Sequence, residues 1–493
     1  MSNKSLMFAA AAVAGAAAVA AFLLRPRPKR GSGATWTCEY LVVGAGVAGS
    51  AAAYHLGISG ATGVTVLEVG SVGLGDGKGV PLVPHAVLRE GDRDSMMTQG
   101  TDSNGAPSWI FRDAKCSGTA VFNSPTNAIK MIVSIFPCSS DSFVANHGED
   151  GARNYLRLAK EGVELEKEIA RKVLDDPETQ LTCKGSLYVC LEADVVEFEK
   201  EYHNFVRFGS VPGVDIELWE KKKTQNYAGV DFHLGIFFPR DAAIDSTSYC
   251  RGLLKHAVAT GRVTVKENAS PVVKVDTIDG KAVTTLQDGT TITSKYVVLA
   301  TGGLFTETNL AGILTPCYSY LTSMPIPTGS PSKGETKRQA FRLEYPATAN
   351  FFSWGFTHDW CLTKGHLRCS GEDHFSALKA PRAIERCQSM ATWTGERYPY
   401  LAPSAKPGAY EARYGVYSET PDHMPLVGIP HPDSRVCYLL GCNAWGQASL
   451  SFASSLVPSL LGLREFTPSQ KDSLKILDIK RFALLPCVLG NPR

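Results

Sequence analysis

The chain begins with an apolar stretch: Leu6–Leu24 is uninterrupted and rich in alanine, and Arg25, Arg27, Lys29 and Arg30 follow it directly. At a rise of about 1.5 Å per residue it can just cross a hydrocarbon layer of roughly 30 Å. Gly31–Ala34 then reads as a short linker, with folding expected from Trp36 onward. Glu39–Val43 is a short apolar run of the kind buried on both faces of a parallel sheet. It leads into Gly44-Ala-Gly46-Val-Ala-Gly49, and Ser50–Leu56 (SAAAYHL) is small and helix-forming. The pattern predicts strand, tight glycine turn, helix, and then a second strand, Val64–Leu67, ending at Glu68. Arg153–Val173 places apolar residues at helical spacing and predicts an amphipathic helix. Its charges, like Lys221–Lys223, read as a solvated face. Val436–Leu440 predicts a further strand that stops at Gly441, before a helix starting near Gly446. By contrast, Gly70–Ser117 is rich in Gly, Asp, Ser and Pro with little periodicity, and predicts a long loop or insertion. There is no repeat and no long low-complexity tract.

The N-terminal run admits two main readings, a signal-anchor or a cleaved targeting segment, with a soluble helix as a third. Four basic residues follow the run, whereas only Lys4 and the terminal amine precede it. As an anchor it leaves the large domain on the cytosolic side. A weakly apolar anchor with a basic flank resembles those of the mitochondrial outer membrane.

Length and composition bound the rest. With 493 residues, 44% apolar and 20% charged, the chain can bury more than one core, as two domains or one with a large insertion. A formal charge of +2, with Lys and Arg scattered, leaves no footprint for nucleic acid. The 13 cysteines are odd in number and contain no Cys-x-x-Cys pair, which argues against a disulfide framework or a zinc site and for thiols in a reducing compartment.

The three glycines of the turn serve different ends. Gly44 permits the turn, Gly46 lets backbone approach a pyrophosphate, and Gly49 lets the helix pack on the strand. The backbone of Ala45, Val47 and Ala48 belongs to the same cradle, with the diphosphate at the positive helix end. Glu68 stands at the spacing expected of the acid that binds adenosine ribose hydroxyls, and its charge disfavours a 2′-phosphate and so NADP. NAD and FAD both fit this fingerprint.

Three distant blocks carry a resemblance. They are Tyr296-Val-Val-Leu-Ala300-Thr301-Gly302-Gly303; Arg413-Tyr-Gly415-Val-Tyr417-Ser-Glu-Thr420-Pro421-Asp422-His-Met-Pro425-Leu-Val-Gly428; and Val436-Cys-Tyr-Leu-Leu-Gly441-Cys-Asn-Ala-Trp-Gly446-Gln-Ala448. In this order the chain resembles the FAD-dependent D-amino-acid oxidase superfamily, with its sarcosine, glycine and dimethylglycine oxidases and dehydrogenases. The likeness covers about Cys38–Leu463, and Lys364–His374 is similar to the family's substrate-domain strand and glycine turn.

The resemblance implies an α/β fold: a doubly wound, Rossmann-like FAD domain (36–130, 241–308 and 413–463) with an inserted antiparallel-sheet substrate domain (131–240 and 309–412). Residues 1–35 would be the anchor and linker, and 464–493 a C-terminal extension. It implies FAD as cofactor, a small amine or amino acid as substrate, and oxygen or an electron-acceptor protein as oxidant. Hydride would pass from the carbon beside the amine to flavin N5, so no catalytic triad is needed. Further positions join the site by this likeness. Thr301, Gly302, Gly441, Asn443, Ala444, Trp445, Gly446 and Gln447 would approach the flavin, and Val273, in Val272-Val273 at the end of a strand, would offer backbone groups to the adenine. Arg413 is the first candidate for a carboxylate clamp, with Arg368 and Lys130 behind it. Tyr414, Tyr417 and Trp445 could line an amine pocket, and His374 and His423 are candidate proton acceptors. Gly415 stands where some sarcosine oxidases carry a flavin-tethering cysteine, and the first histidine after Glu68 is the distant His85, so the flavin is expected to be untethered. Two departures from the family pattern weaken any substrate analogy: the long Gly70–Ser117 stretch, and Arg413 at a position often filled by tryptophan. Two alternatives to the amine oxidoreductase are an NAD-dependent dehydrogenase and a flavin-binding assembly factor of a respiratory complex without turnover.

Overall fold

The computed structural model describes residues 34–70, 72, 98–101, 107–110, 131–228, 232–302, 310, 313–327, 350–353, 358–363, 366–375 and 382–482. The Leu6–Leu24 run, His85, Lys130 and Lys364 lie outside the described residues. Among the described residues no helix is long and apolar enough to cross a membrane.

The first sheet is built outward from β1 (Thr35–Val43), whose second half, Tyr40–Val43, is buried throughout. It pairs in parallel with β2 (Val64–Leu67) and with β13 (Thr291–Leu299). β10 (Val263–Lys266) extends the parallel array beyond β2. The far edge of β13 is shared: Thr291–Ser294 pair antiparallel with β12 (Lys281–Leu286), and Val297–Leu299 pair in parallel with β20 (Val436–Leu440). β11 (Val272–Ile278) beside β12 and β19 (Leu426–Gly428) beside β20 complete eight strands. Against this sheet lie α1 (Val47–Ile58), buried from Ala48 to Gly57, and α3 (Ser246–Ala259). Helices α2 (Ser140–Glu168) and α5 (Gly446–Ser454) complete this layer, with α5 touching both α1 and α2.

The second sheet runs in the order β18 (Glu411–Glu419), β14 (Thr315–Pro325), β17 (His366–Phe375), β16 (His358–Thr363), β15 (Asn350–Ser353), β6 (Ser186–Cys190), β8 (Leu234–Phe238) and β7 (Glu217–Trp219). Its pairs are antiparallel except β6 with β15. One face is apolar: Tyr318, Tyr320, Met324, Trp360 and Tyr414 pack with Met390 and Ala391 of α4 (Ala383–Arg397). Two short pairs, β3 (Thr98–Thr101) with β4 (Pro107–Ile110) and β5 (Met131–Ile132) with β9 (Ala242–Ala243), stand apart. The described cysteines form no disulfide, and most are buried.

Long-range pairing and packing cross the expected segment boundaries. The boundary at residue 413 falls inside β18, and the whole strand pairs with β14, from Glu411 opposite Ser323 to Glu419 opposite Thr315. Residues 140–168, expected on the substrate side, form α2 and pack on α5 of the first layer. Gly162 allows that approach, since a Cβ there would stand 2.2 Å from the Ala448 carbonyl oxygen. The expected amphipathic helix at 153–173 is the later part of α2, continued by a wider π-helical turn over Ile169–Leu174. In the 464–493 extension, α6 (Pro468–Leu477) is capped reciprocally by Thr467 and Gln470 and docks on α2.

The fold encloses several carboxyl groups whose pKa burial raises, to about 8 at Glu166 and about 7 at Asp241, Glu201 and Glu419. Their unfolded values lie near 4, so the folded chain binds more protons above that pH. The stabilisation is complete below about pH 4 and is lost as pH rises through the folded values of about 7 to 8. Thermal unfolding followed by calorimetry should show a melting temperature that falls by several degrees between about pH 5 and about pH 9. A melting temperature that climbs steadily over that range would contradict this assignment.

Candidate functional site

The carboxyl ends of the parallel strands β2, β1, β13 and β20 open at one edge of the first sheet, where ligands of open α/β sheets bind. After β1, Gly44 takes φ +97°, and a Cβ there would lie 2.5 Å from the Ala300 carbonyl oxygen at the end of β13. Gly49 is tighter still, since its Cβ would fall 1.9 Å from the Gly44 oxygen. Gly46 differs: nothing lies within 4 Å of the Cβ position. It caps α1 with backbone only, no side chain closing the helix end. Open space in front of an uncapped helix N-terminus fits a diphosphate. The Ala45 N–H is committed elsewhere, donating to Glu68 Oε2 at 2.7 Å, while Gly70 N–H donates to Oε1 at 3.0 Å. Val47 and Ala48 begin α1 at that same open end. Glu68 is thereby fixed at the end of β2, with burial holding its carboxyl above the usual range and the two N–H donors opposing that rise.

Val273 lies at the start of β11, where the register slips between Val272 and Lys274 and leaves it outside the ladder with β12. The bulge releases backbone groups that a regular strand would use. This is the beginning of the strand rather than its end, next to the connection in which Ala269 N–H donates to the Glu68 carbonyl at 2.9 Å.

At the other end, Thr301 and Gly302 (φ +65°) leave β13, and Gly441 (φ +77°) leaves β20. Asn443 and Ala444 are both left-handed, at φ +48° and +63°, just before α5. Such a conformation costs non-glycine residues of the order of 1 kcal/mol each and persists only where surrounding contacts enforce it. Asn443 supplies the enforcement: its Oδ1 accepts from Thr420 N–H at 2.8 Å and its Nδ2 donates to the Gly441 carbonyl at 2.8 Å. Its side chain thereby holds the Thr420-Pro421-Asp422 turn. The result is a second helix, α5, with Trp445 at its cap position, no side-chain cap and Gly446 as its first residue. Gln447 in its first turn is turned inward, its Oε1 accepting from Ser246 Oγ at 2.9 Å.

Ser418, which the sequence pattern does not single out, joins these turns. Its hydroxyl donates to the Gly302 carbonyl at 3.0 Å and accepts from Gly441 N–H at 3.2 Å. Thus β18 begins in the second sheet and ends between the two candidate cofactor turns of the first. Its alternation separates the predicted pocket residues. Tyr414 is buried beside Tyr318 and Tyr320, on the apolar face under α4. Adjacent strand residues point to opposite faces, so Arg413 and Tyr417 share the other face and Tyr414 does not line it.

That other face is polar. The register places Arg368, Asp359 and Ser370 on it with Arg413. A bulge at Glu372 (φ +56°) re-aims Asp373, whose Oδ2 accepts from the Tyr417 hydroxyl at 2.8 Å. Glu419 Oε1 lies 3.1 Å from the same hydroxyl. A phenol has one proton to give, so the second contact calls for a protonated carboxyl, in keeping with burial pushing Glu419 up to about 7. The acids Asp359, Asp373 and Glu419 were not legible as a group, because they come from three strands that only the sheet aligns. Arg413 pairs with Glu411 at 3.3 Å. Arg368 is more enclosed, and burial pulls its pKa down. His423 is 3.9 Å from Glu419, with burial lowering its pKa, and His374 stands opposite Tyr318 in the β14–β17 ladder.

Solved structures share this architecture. Glycine oxidase from Geobacillus kaustophilus superposes with a TM-score of 0.62 at 14% identity, covering 93% of this chain and 99% of its own. L-proline dehydrogenase from P. horikoshii gives 0.57 at 15%, covering 91% and 99%. L-amino acid deaminase from Proteus vulgaris gives 0.57 at 15%, covering 94% and 98%. At such identities the likeness is one of fold. No curated protein sequence matches significantly. The sequence signature of the FAD dependent oxidoreductases, DAO, matches residues 39–456. Because that span runs from β1 through α5 and takes in every segment of the candidate cradle, this chain belongs to the family of FAD-dependent oxidoreductases.

Proposed function

We propose that the protein oxidises the C–N bond of a small amine or amino acid, primary or secondary, using an FAD held without a covalent tether. Bound there, FAD would accept a hydride at N5 from the carbon next to the substrate nitrogen. The observation that carries this reading is the course of β18: Ser418 is bonded to both cofactor turns, while Tyr417, one residue earlier, joins Asp373 and Glu419 on the polar face. A substrate resting on that face lies between the cofactor turns and groups of both charge signs. Arg368 and Arg413 suit a carboxylate. The Asp373–Tyr417–Glu419 set suits an amine and can hold the proton that the nitrogen gives up as the C–N bond gains double-bond character. The supporting neighbours include enzymes named for glycine, proline and amino-acid substrates.

Anaerobic mixing with a panel of amines and amino acids should bleach the flavin, with a rate that rises through an ionisation near pH 7 assigned to Glu419. In Glu419→Gln that ionisation should vanish from the profile. No bleaching with any substrate would overturn the amine reading and leave a flavin-binding role without turnover. After acid precipitation the yellow colour should move to the supernatant, since Gly415 offers no thiol.

The Leu6–Leu24 run with its basic flank supports attachment to a membrane, with the large domain on the cytosolic side. Alkaline extraction of membranes should leave the full chain in the pellet and release a variant beginning at Gly31. Release of both would sink this reading.

A further inference from the structure

Beneath the first turns of α5 lies a buried polar cluster that the proposed chemistry does not use. Glu166 on α2 is fully buried, as is Tyr249 on α3. Its Oε1 accepts from the Ser451 hydroxyl of α5, and its carboxyl lies beside the Gln447 amide in the first turn of that helix. Yet Glu166 Oε2, Gln447 Nε2 and Tyr249 OH each lack a hydrogen bond of normal geometry. A polar atom left unpartnered in a core is destabilising. Here the Tyr249 hydroxyl stands unused near a carboxyl whose ionised form the Gln447 amide already favours, and it is a partner that a carboxylate would take.

We propose that Glu166 is a positioning residue of the flavin end of the site: it stores a proton beneath α5 and takes up or releases it as the flavin changes redox state. This rests on the FAD reading above. The uncapped N-terminus of α5 presents positive potential to the cofactor turns. A neutral Glu166 leaves that potential intact, whereas a carboxylate would oppose it from the helix's flank. Negative charge gained by the flavin on reduction must in turn favour the protonated acid, because the coupling is reciprocal. Burial already favours the neutral form. The titratable neighbours are Tyr249, Cys250 and Asp245 of α3 and its cap, Tyr54 of α1, and Lys167 and Glu168 on α2 itself. Lys167 is engaged with Glu164 and the Arg240 carbonyl, and burial keeps Tyr249 and Cys250 neutral. Gln447 and Ser451 of α5 do not titrate.

The test uses the FAD-loaded full chain. The midpoint potential of the bound flavin is measured by spectroelectrochemistry from about pH 6 to about pH 10, together with proton uptake on reduction in weak buffer. The wild-type protein should take up about one more proton per flavin above pH 8 than Glu166→Gln, with a matching break in its potential profile that the variant lacks. Tyr249→Phe removes one reserve donor for the carboxylate and should move the break to higher pH. Equal flavin content and melting temperature at pH 6 show that the variants are folded. Identical profiles in all three FAD-loaded proteins overturn the proposal and leave the FAD reading standing. A wild-type chain that binds no FAD overturns both. If Glu166→Gln does not fold, the Tyr249→Phe break decides, and an unmoved break counts against Glu166.

Discussion

Gly49→Ala is expected to yield a colourless protein. The added Cβ would fall 1.9 Å from the Gly44 carbonyl oxygen and 3.3 Å from Ala300 Cβ, both in the turns that join β1 and β13 to the site. Real Cβ contacts do not reach that distance to backbone, so α1 must move outward, taking the open helix end at Gly46 with it. Overpacking of a close-fitted core costs about 1–3 kcal/mol, and the displaced helix end no longer meets the diphosphate. Flavin absorbance relative to protein absorbance should drop to near zero, and the melting temperature should fall by several degrees. Gly46→Ala separates the two effects. With nothing within 4 Å of its Cβ, it should keep the melting temperature of the flavin-free protein while weakening FAD binding at least tenfold. Stoichiometric FAD in Gly49→Ala would show that this turn is not the cradle.

The second large effect is expected far along the chain, at Arg481. Its guanidinium grips Asp422 through Nε to Oδ2 at 2.6 Å and Nη2 to Oδ1 at 3.2 Å. It also donates to the Met424 carbonyl at 2.8 Å and the Leu477 carbonyl at 2.7 Å. Thr420 Oγ1 donates to the same Met424 carbonyl at 2.8 Å, so the C-terminal segment and the Asn443 network hold one turn from two sides. Arg481→Met leaves Asp422 largely buried without its cation. Breaking such a pair costs about 3–5 kcal/mol when fully buried, and the exposure remaining here lowers that to about 2–4 kcal/mol. Urea unfolding should show that loss, with FAD released at lower denaturant than in the wild type. Asp422→Asn in the same chain should restore part of it by removing the stranded charge. A loss under about 0.5 kcal/mol would class the pair with ordinary surface ion pairs.

These two residues mark how far the sequence could be read. Gly49 was legible because its role is local: strand, turn and helix lie within a few residues, and glycine's freedom and the apolar period are written there. For the same reason Glu68, the Thr301-Gly302 turn and the Gly441–Gly446 connection stood out. Arg481 and Ser418 were not legible, since each gains its role from partners brought together across the chain.

Local pattern along the chain is enough for the βαβ unit at Gly44–Glu68, the strands that return to it, and the family to which they belong. Strand pairing across the chain sets β18 in the second sheet while it ends between the candidate cofactor turns, turns Tyr414 toward α4 and Tyr417 toward the polar face, and brings Asn443 to Thr420. Tertiary packing also sets three acids on one face and Glu166 beneath α5. Local conformation follows from local sterics and hydrophobic period. Which faces meet depends on strand pairings between segments hundreds of residues apart, and a one-residue change of register exchanges the buried and functional faces.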